Sequence, residues 1–191
     1  TRKTDISYFM EFKKIQLNGF KSFADKTSFL IEDGLTGIVG PNGCGKSNIV
    51  ESLRWVMGET SAKSMRGSGM EDVIFSGTSN KASKNIAEVS VSVANNNGNG
   101  PIQFRELDEI NVRRKIEKDK GSKFYINDKE VRARDTQMFF ADLSTGAHSP
   151  SMISQGRIGA LVTAKPADRR AILEEAAGIS GLHVRRHEAE L

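Results

Sequence analysis

The chain has 191 residues, 37% hydrophobic and 27% charged, which fits one globular domain or slightly more and excludes a disordered or membrane-spanning class. Lys and Arg number 28 against 24 Asp and Glu, and this net charge of +4 permits a polyanionic partner without identifying one. The single cysteine, Cys44, excludes a disulfide framework and a multi-cysteine zinc site, and Thr1–Phe9 has no apolar core of a secretory signal, so a reducing cytoplasm is expected.

Residues 1–9 show no period and read as a disordered tail or a foreign remnant. From Met10, apolar residues at Phe12, Ile15 and Leu17, at Phe29 and Ile31, and at Leu35, Ile38 and Val39 predict short strands between turns. Ile49, Leu53, Val56 and Met57 recur at helical spacing, with Trp55 among them and Gly58 as the stop. Residues 59–85 are irregular. Ala87, Val89, Val91 and Val93 alternate with polar residues as in a strand. Asn95–Pro101 reads as a loose tip. Further strands are expected around Ile102–Leu107, Ile110–Ile116, Lys123–Ile126 and Glu130–Arg132, which would make 86–132 an antiparallel meander. A short helix is expected near Arg134–Asp142, and Pro166 opens another at about Ala167–Ala177. Leu182–Leu191 is charged and helix-permissive, with no stop signal.

Gly40-Pro41-Asn42-Gly43-Cys44-Gly45-Lys46-Ser47 fits the phosphate-loop pattern G-x-x-x-x-G-K-[ST]. An apolar strand, Thr36–Val39, is expected to lead in, and a helix leads out. Glycines let the backbone turn sharply and aim N–H groups at phosphate oxygens. The helix N-terminus adds unpaired donors and partial positive charge. Lys46 would reach the β- and γ-phosphates, and Ser47 would ligate Mg²⁺. Cys44 occupies a free slot of the pattern and reads as a spectator. The densest basic stretch is Arg113-Arg114-Lys115 with Lys118, Lys120 and Lys123. It reads first as a solvated hairpin face, and second as a sequence-indifferent phosphate contact. His148, His183 and His187 form no ligand set.

With the loop in place, its surroundings become recognisable. Gly19-Phe20-Lys21-Ser22-Phe23, Gly40–Val50, Trp55–Glu59, Ser64–Gly67, Met70–Phe75, Ser154–Ile158 and Ile172–Ile179 together resemble the N-terminal head segment of bacterial-type SMC chromosome-maintenance ATPases. The resemblance implies an α/β fold: the N-terminal lobe of an ABC-type P-loop ATPase head, with a mixed sheet and an antiparallel meander. The lobe would span 10–181, and 182–191 would be the root of a coiled coil. It implies ATP and Mg²⁺ as cofactors, held by Pro41, Asn42, Gly43, Cys44, Gly45, Lys46, Ser47 and Asn48. Lys21 and Ser22 would lie near the nucleotide, Gln155 would reach Mg²⁺ and the γ-phosphate region, and Arg66 would couple hydrolysis to DNA. Implied partners are the protein's own C-terminal lobe, a second head (a copy or a paralogue), a kleisin-type subunit at the coil root, and double-stranded DNA. No membrane is implied, and the location would be cytoplasmic, at the nucleoid.

Neither an Asp-Glu Walker B strand nor a Leu-Ser-Gly-Gly signature occurs in the chain. Met138-Phe139-Phe140-Ala141-Asp142 imitates the former, but no Glu follows and the stretch reads as helix. The isolated chain is therefore expected to lack ATPase activity. Two other classes stay open on sequence: a coiled-coil DNA-repair ATPase, and a transporter nucleotide-binding module or small P-loop kinase.

Overall fold

The computed structural model describes residues 11–62, 65, 67–95, 104, 106–142, 164–166 and 169–170. Within them the chain runs β1 (Glu11–Asn18), β2 (Thr27–Leu30), α1 (Lys46–Val56), a 3-10 turn at Met70–Val73, β3 (Ile86–Ala94), β4 (Glu109–Glu117), β5 (Gly121–Ile126), β6 (Lys129–Val131) and α2 (Ala133–Asp142). The strands form one sheet in the order β2-β1-β3-β4-β5-β6, and every pairing is antiparallel. The expected meander is the β3–β6 half of this sheet. Its last hairpin turns at Asn127 and Asp128, both at positive φ, as a two-residue turn matching strand twist requires.

Register separates the two faces of the sheet. Ile15, Val91, Val112 and Ile126 lie side by side across four strands, and all are buried. The outer face carries Gln16, Ser90, Arg113, Tyr125 and Glu130 in a matching row. Helix α1 packs on the apolar face through Ile49, Trp55 and Val56, and α2 adds Phe139 and Phe140. Trp55 lies against Phe20, with ring centroids 5.4 Å apart.

Three local expectations need correction. Thr36–Val39 is not a strand: it joins no ladder, and Leu35 and Val39 are fully exposed. An extended segment becomes a strand only with a neighbour to bond, and no described strand lies beside it. Nor do the described residues of 102–107 form one. There the Asn95 amide donates to the carbonyls of Phe104 and Leu107, both at 2.8 Å, so a side chain engages acceptors that a ladder would use.

The third correction concerns the basic stretch. Arg113 and Lys115 do share the outer face, but Arg114 is buried in the row Leu17–Val89–Arg114–Phe124–Val131. Arg113 pairs with Glu88 and Asp128 and stacks on Tyr125. Lys120 pairs with Glu117, and Lys123 with Glu130.

Between α1 and β3 the chain is held by local polar bonds. The Asp72 carboxylate accepts from the Ser68 N–H at 2.6 Å, the Gly69 N–H at 2.9 Å and the Ser68 hydroxyl at 2.9 Å. The Gly69 N–H, then the two Ser68 donors, hold its pKa below the ordinary 3.8. The unfolded chain therefore binds this proton more readily. The stabilisation is present above the ordinary value and is lost as pH falls below it. Urea midpoints across the acid range should show this fall in the parent chain and a shallower one in Asp72→Asn.

Candidate phosphate-binding site

The loop between the exposed Thr36–Val39 segment and α1 turns on two glycines in the left-handed region, Gly43 at φ 84° and Gly45 at φ 94°. Gly45 is the N-cap of α1, yet no side chain caps the helix and no acidic residue stands in its first turn. The first N–H groups of a helix have no internal acceptor. This end of α1 therefore combines free donors with the positive pole of the helix dipole, and no acidic residue of its first turn competes for it. Asn42, Gly43, Gly45, Lys46, Ser47 and Asn48 line an open cleft of about 320 Å³ there.

All eight loop residues named from the sequence lie along this one turn. Lys46 folds over it, its Nζ donating to the carbonyls of Gly40 at 2.5 Å and Pro41 at 2.6 Å. Its ammonium thus stands at the mouth of the loop. Ser47 is exposed in the first turn of α1. Cys44 is exposed, with Sγ 3.9 Å from the Lys46 Nζ.

Lys21 and Ser22 come from a turn 20 residues upstream, pinned by Phe20. That residue is fully buried and bridges to Phe23 and Ile74. The Ser22 hydroxyl accepts from the Asn48 amide at 2.9 Å. A Cβ on Gly45 would stand 2.3 Å from the same oxygen, so the turn packs on the loop backbone and glycine is required there. The Lys21 ammonium turns the other way. It bonds the Glu51 carboxylate of α1 and the Met65 carbonyl. Glu51 was not singled out from the sequence, although a carboxylate among the buried positions of an amphipathic helix was the available signal. Gln155 and Arg66 lie outside the described residues, as do 1–9, the three histidines, 182–191 and most of the helix expected at 167–177.

The donor set suits a phosphate chain: backbone N–H groups, one mobile ammonium and one hydroxyl on a rigid helix end. Residues 11–157 match the family described as the RecF/RecN/SMC N terminal domain. The chain belongs to this family. Within it, the SMC head lobe is 58% identical over 182 residues to the chromosome partition protein Smc of Cereibacter sphaeroides, a match covering 95% of this chain and 16% of that protein. The chain thus spans about a sixth of the relative's length. An Smc head domain of Pyrococcus furiosus, solved with the C-terminal domain of ScpA bound, superposes with a TM-score of 0.82 at 30% identity, covering 95% of this chain and 45% of that one. A chain from work on ATP-driven dimerization and DNA-stimulated activation of SMC ATPases gives a TM-score of 0.74 at 32% identity, covering 86% and 98%. The lobe is the N-terminal part of an ABC-type head.

Proposed function

We propose that this lobe binds ATP with Mg²⁺ as one half of an SMC head that partitions chromosomal DNA in the cytoplasm, at the nucleoid. The observation that carries the reading is the uncapped N-terminus of α1. A left-handed glycine precedes it, no acid stands in its first turn, and Lys46 stands over its mouth.

In this reading the N–H groups of Gly43–Ser47 hold phosphate oxygens. Lys46 neutralises the β- and γ-phosphates, the Ser47 hydroxyl takes Mg²⁺, and Asn42 and Asn48 line the entry. Ser22 braces the loop, and Lys21 holds α1 behind it. Gln155 would complete the Mg²⁺ and γ-phosphate ligation, and Arg66 would link hydrolysis to DNA. Bound MgATP supplies the γ-phosphate charge that a facing head grips. Exposed Leu35, Ile38 and Val39 support a C-terminal lobe as the next partner, because a strand from it would pair the backbone of a segment that joins no ladder and cover these apolar side chains. A second head, a kleisin-type subunit at the coil root of 182–191 and double-stranded DNA complete the assembly, in line with the ATP-driven dimerization and ScpA binding of the similar heads.

The test mixes the chain with a C-terminal lobe carrying Walker B and signature motifs. MgATP binding is expected, and Lys46→Ala should weaken it by about 30-fold, or about 2 kcal/mol, as loss of a charge-assisted phosphate contact does. Hydrolysis should appear only in the mixture. Turnover by the chain alone at the rate of the mixture, abolished by Lys46→Ala, would overturn the split-site reading.

A further inference from the structure

The far end of α1 is tied down as firmly as its loop end. Arg114 enters from β4 with its guanidinium carbon 4.4 Å from the Trp55 ring centroid and 4.5 Å from that of Phe124. Its Nη1 donates to the Trp55 carbonyl at 2.8 Å and the Glu59 carbonyl at 2.6 Å, and its Nη2 to the Ser122 hydroxyl at 3.2 Å. Gln137 of α2 donates to the Gly58 carbonyl at 2.7 Å. Gly58 sits at φ 100°, where a Cβ would stand 2.5 Å from Gln137 Cγ. Side chains of the meander and α2 thus hold this end of the helix: Arg114 joins the Gly58 N–H on the Trp55 carbonyl of the last turn, and Arg114 and Gln137 take the Glu59 and Gly58 carbonyls just past it.

This arrangement is costly to build. Arg114 is 2% exposed, and burial pushes its pKa down to about 10, partly offset by the Glu59 carboxylate. The group remains a cation at neutral pH, placed at the negative pole of α1. Stability alone does not call for a buried ion in an otherwise apolar cross-strand row, since a well-packed apolar side chain often serves as well or better. A planar fork with two carbonyls on one nitrogen does something an apolar side chain cannot: it fixes the helix along its own axis.

We infer that Arg114 is a positioning residue for the phosphate loop. It locks α1 to the meander, and because α1 is a rigid rod of 11 residues, about 16 Å long, it sets where the N–H donors at residues 43–47 stand. The inference rests on the nucleotide-binding reading for its consequence, but its geometry is independent of it.

The experiment compares Arg114→Lys, Arg114→Met and Ile110→Ala in the full chain joined to its C-terminal lobe. Ile110 is buried on the same face of β4, four residues away, and serves as the stability control. MgATP affinity is measured by calorimetry, and amide hydrogen exchange is read at residues 43–48. Both Arg114 variants should bind MgATP about tenfold more weakly, as small misplacements of a rigid site do. Exchange at 43–48 should quicken in the same variants, and lysine should not rescue because it lacks the fork. Ile110→Ala, compared at equal distance below its unfolding midpoint, should match the parent in both. Parental affinity and exchange in a folded Arg114→Lys, or equal losses in Ile110→Ala, would overturn the inference. Should Arg114→Met fail to fold, the lysine variant decides alone. A parent that does not bind MgATP at all would defeat the proposed function, and the exchange data would then still decide the positioning role.

Discussion

Replacing Gly19 with alanine is expected to lower the stability of the lobe by about 3 kcal/mol, through left-handed strain plus overpacking against backbone. Gly19 follows β1 at φ 63°, and its carbonyl receives the Phe75 N–H at 2.8 Å. A Cβ there would stand 2.2 Å from the Ile86 carbonyl oxygen and 3.3 Å from its carbon. Both atoms are main chain at the start of β3, so no rotamer change relieves the contact. Relief would have to pull β1 from β3, whose pairing places Leu17 on Val89 and Ile15 on Val91 at the centre of the core. Gly34 provides the comparison. It too is left-handed, at φ 87°, but a Cβ there would meet nothing within 4 Å. Gly34→Ala should therefore show the backbone strain alone, about 1 kcal/mol. Urea unfolding of both variants separates the two terms. A Gly19→Ala midpoint no lower than that of Gly34→Ala would mean that the β1–β3 junction yields without cost, and the packing argument would fail.

The contrast between these glycines shows what a sequence does and does not reveal. Local patterns were legible. The period of two in Ala87–Val93 and the Asn127-Asp128 turn gave the meander, and the spacing from Ile49 to Met57 gave α1. The loop at Gly40–Ser47 was legible because its chemistry is contiguous. Illegible features depended on groups distant in sequence. Thr36–Val39 has the composition of a strand, but composition supplies no neighbour. Ile102–Leu107 has it too, but the Asn95 amide bonds two of its carbonyls. Arg114 sits between Arg113 and Lys115 in an unbroken basic run; strand alternation puts it on the face of Ile116 and away from Arg113 and Lys115, but nothing local shows what would receive a cation on that face. Its burial follows from facing the Trp55 ring and the carbonyls of Trp55 and Glu59, 55 to 59 residues earlier. The same holds within the site: the pattern names Lys46 and Ser47 but is silent on what braces them, and the brace comes from Ser22 and Lys21.

That brace gives the second large expected effect. Lys21→Met should destabilise the lobe by about 2–3 kcal/mol, and Glu51→Leu in the same chain should recover a substantial part of the loss. The Lys21 and Glu51 side chains are only 14% and 10% exposed, so the pair belongs with buried ion pairs, not with surface ones whose removal is nearly silent. Methionine keeps most of the lysine's length and apolar stem but offers no donor to Glu51 or to the Met65 carbonyl. A buried carboxylate then loses the ammonium that bonds it, a larger cost than the pair's net worth. Leucine at 51 removes that charge and leaves one buried carbonyl, that of Met65, without its ammonium. The backbone at Lys21, φ 47° with its N–H on the Val73 carbonyl at 2.7 Å, is the same in parent and variants, so its strain cancels. A double-mutant cycle by urea unfolding should give a coupling of about 1–2 kcal/mol, above the few tenths expected of independent sites. Additive losses would show that Lys21 and Glu51 act separately. The turn at 20–23 would then be held on α1 by Phe20 against Trp55 and by Ser22 against the loop, and the ammonium would be free to serve the cleft instead.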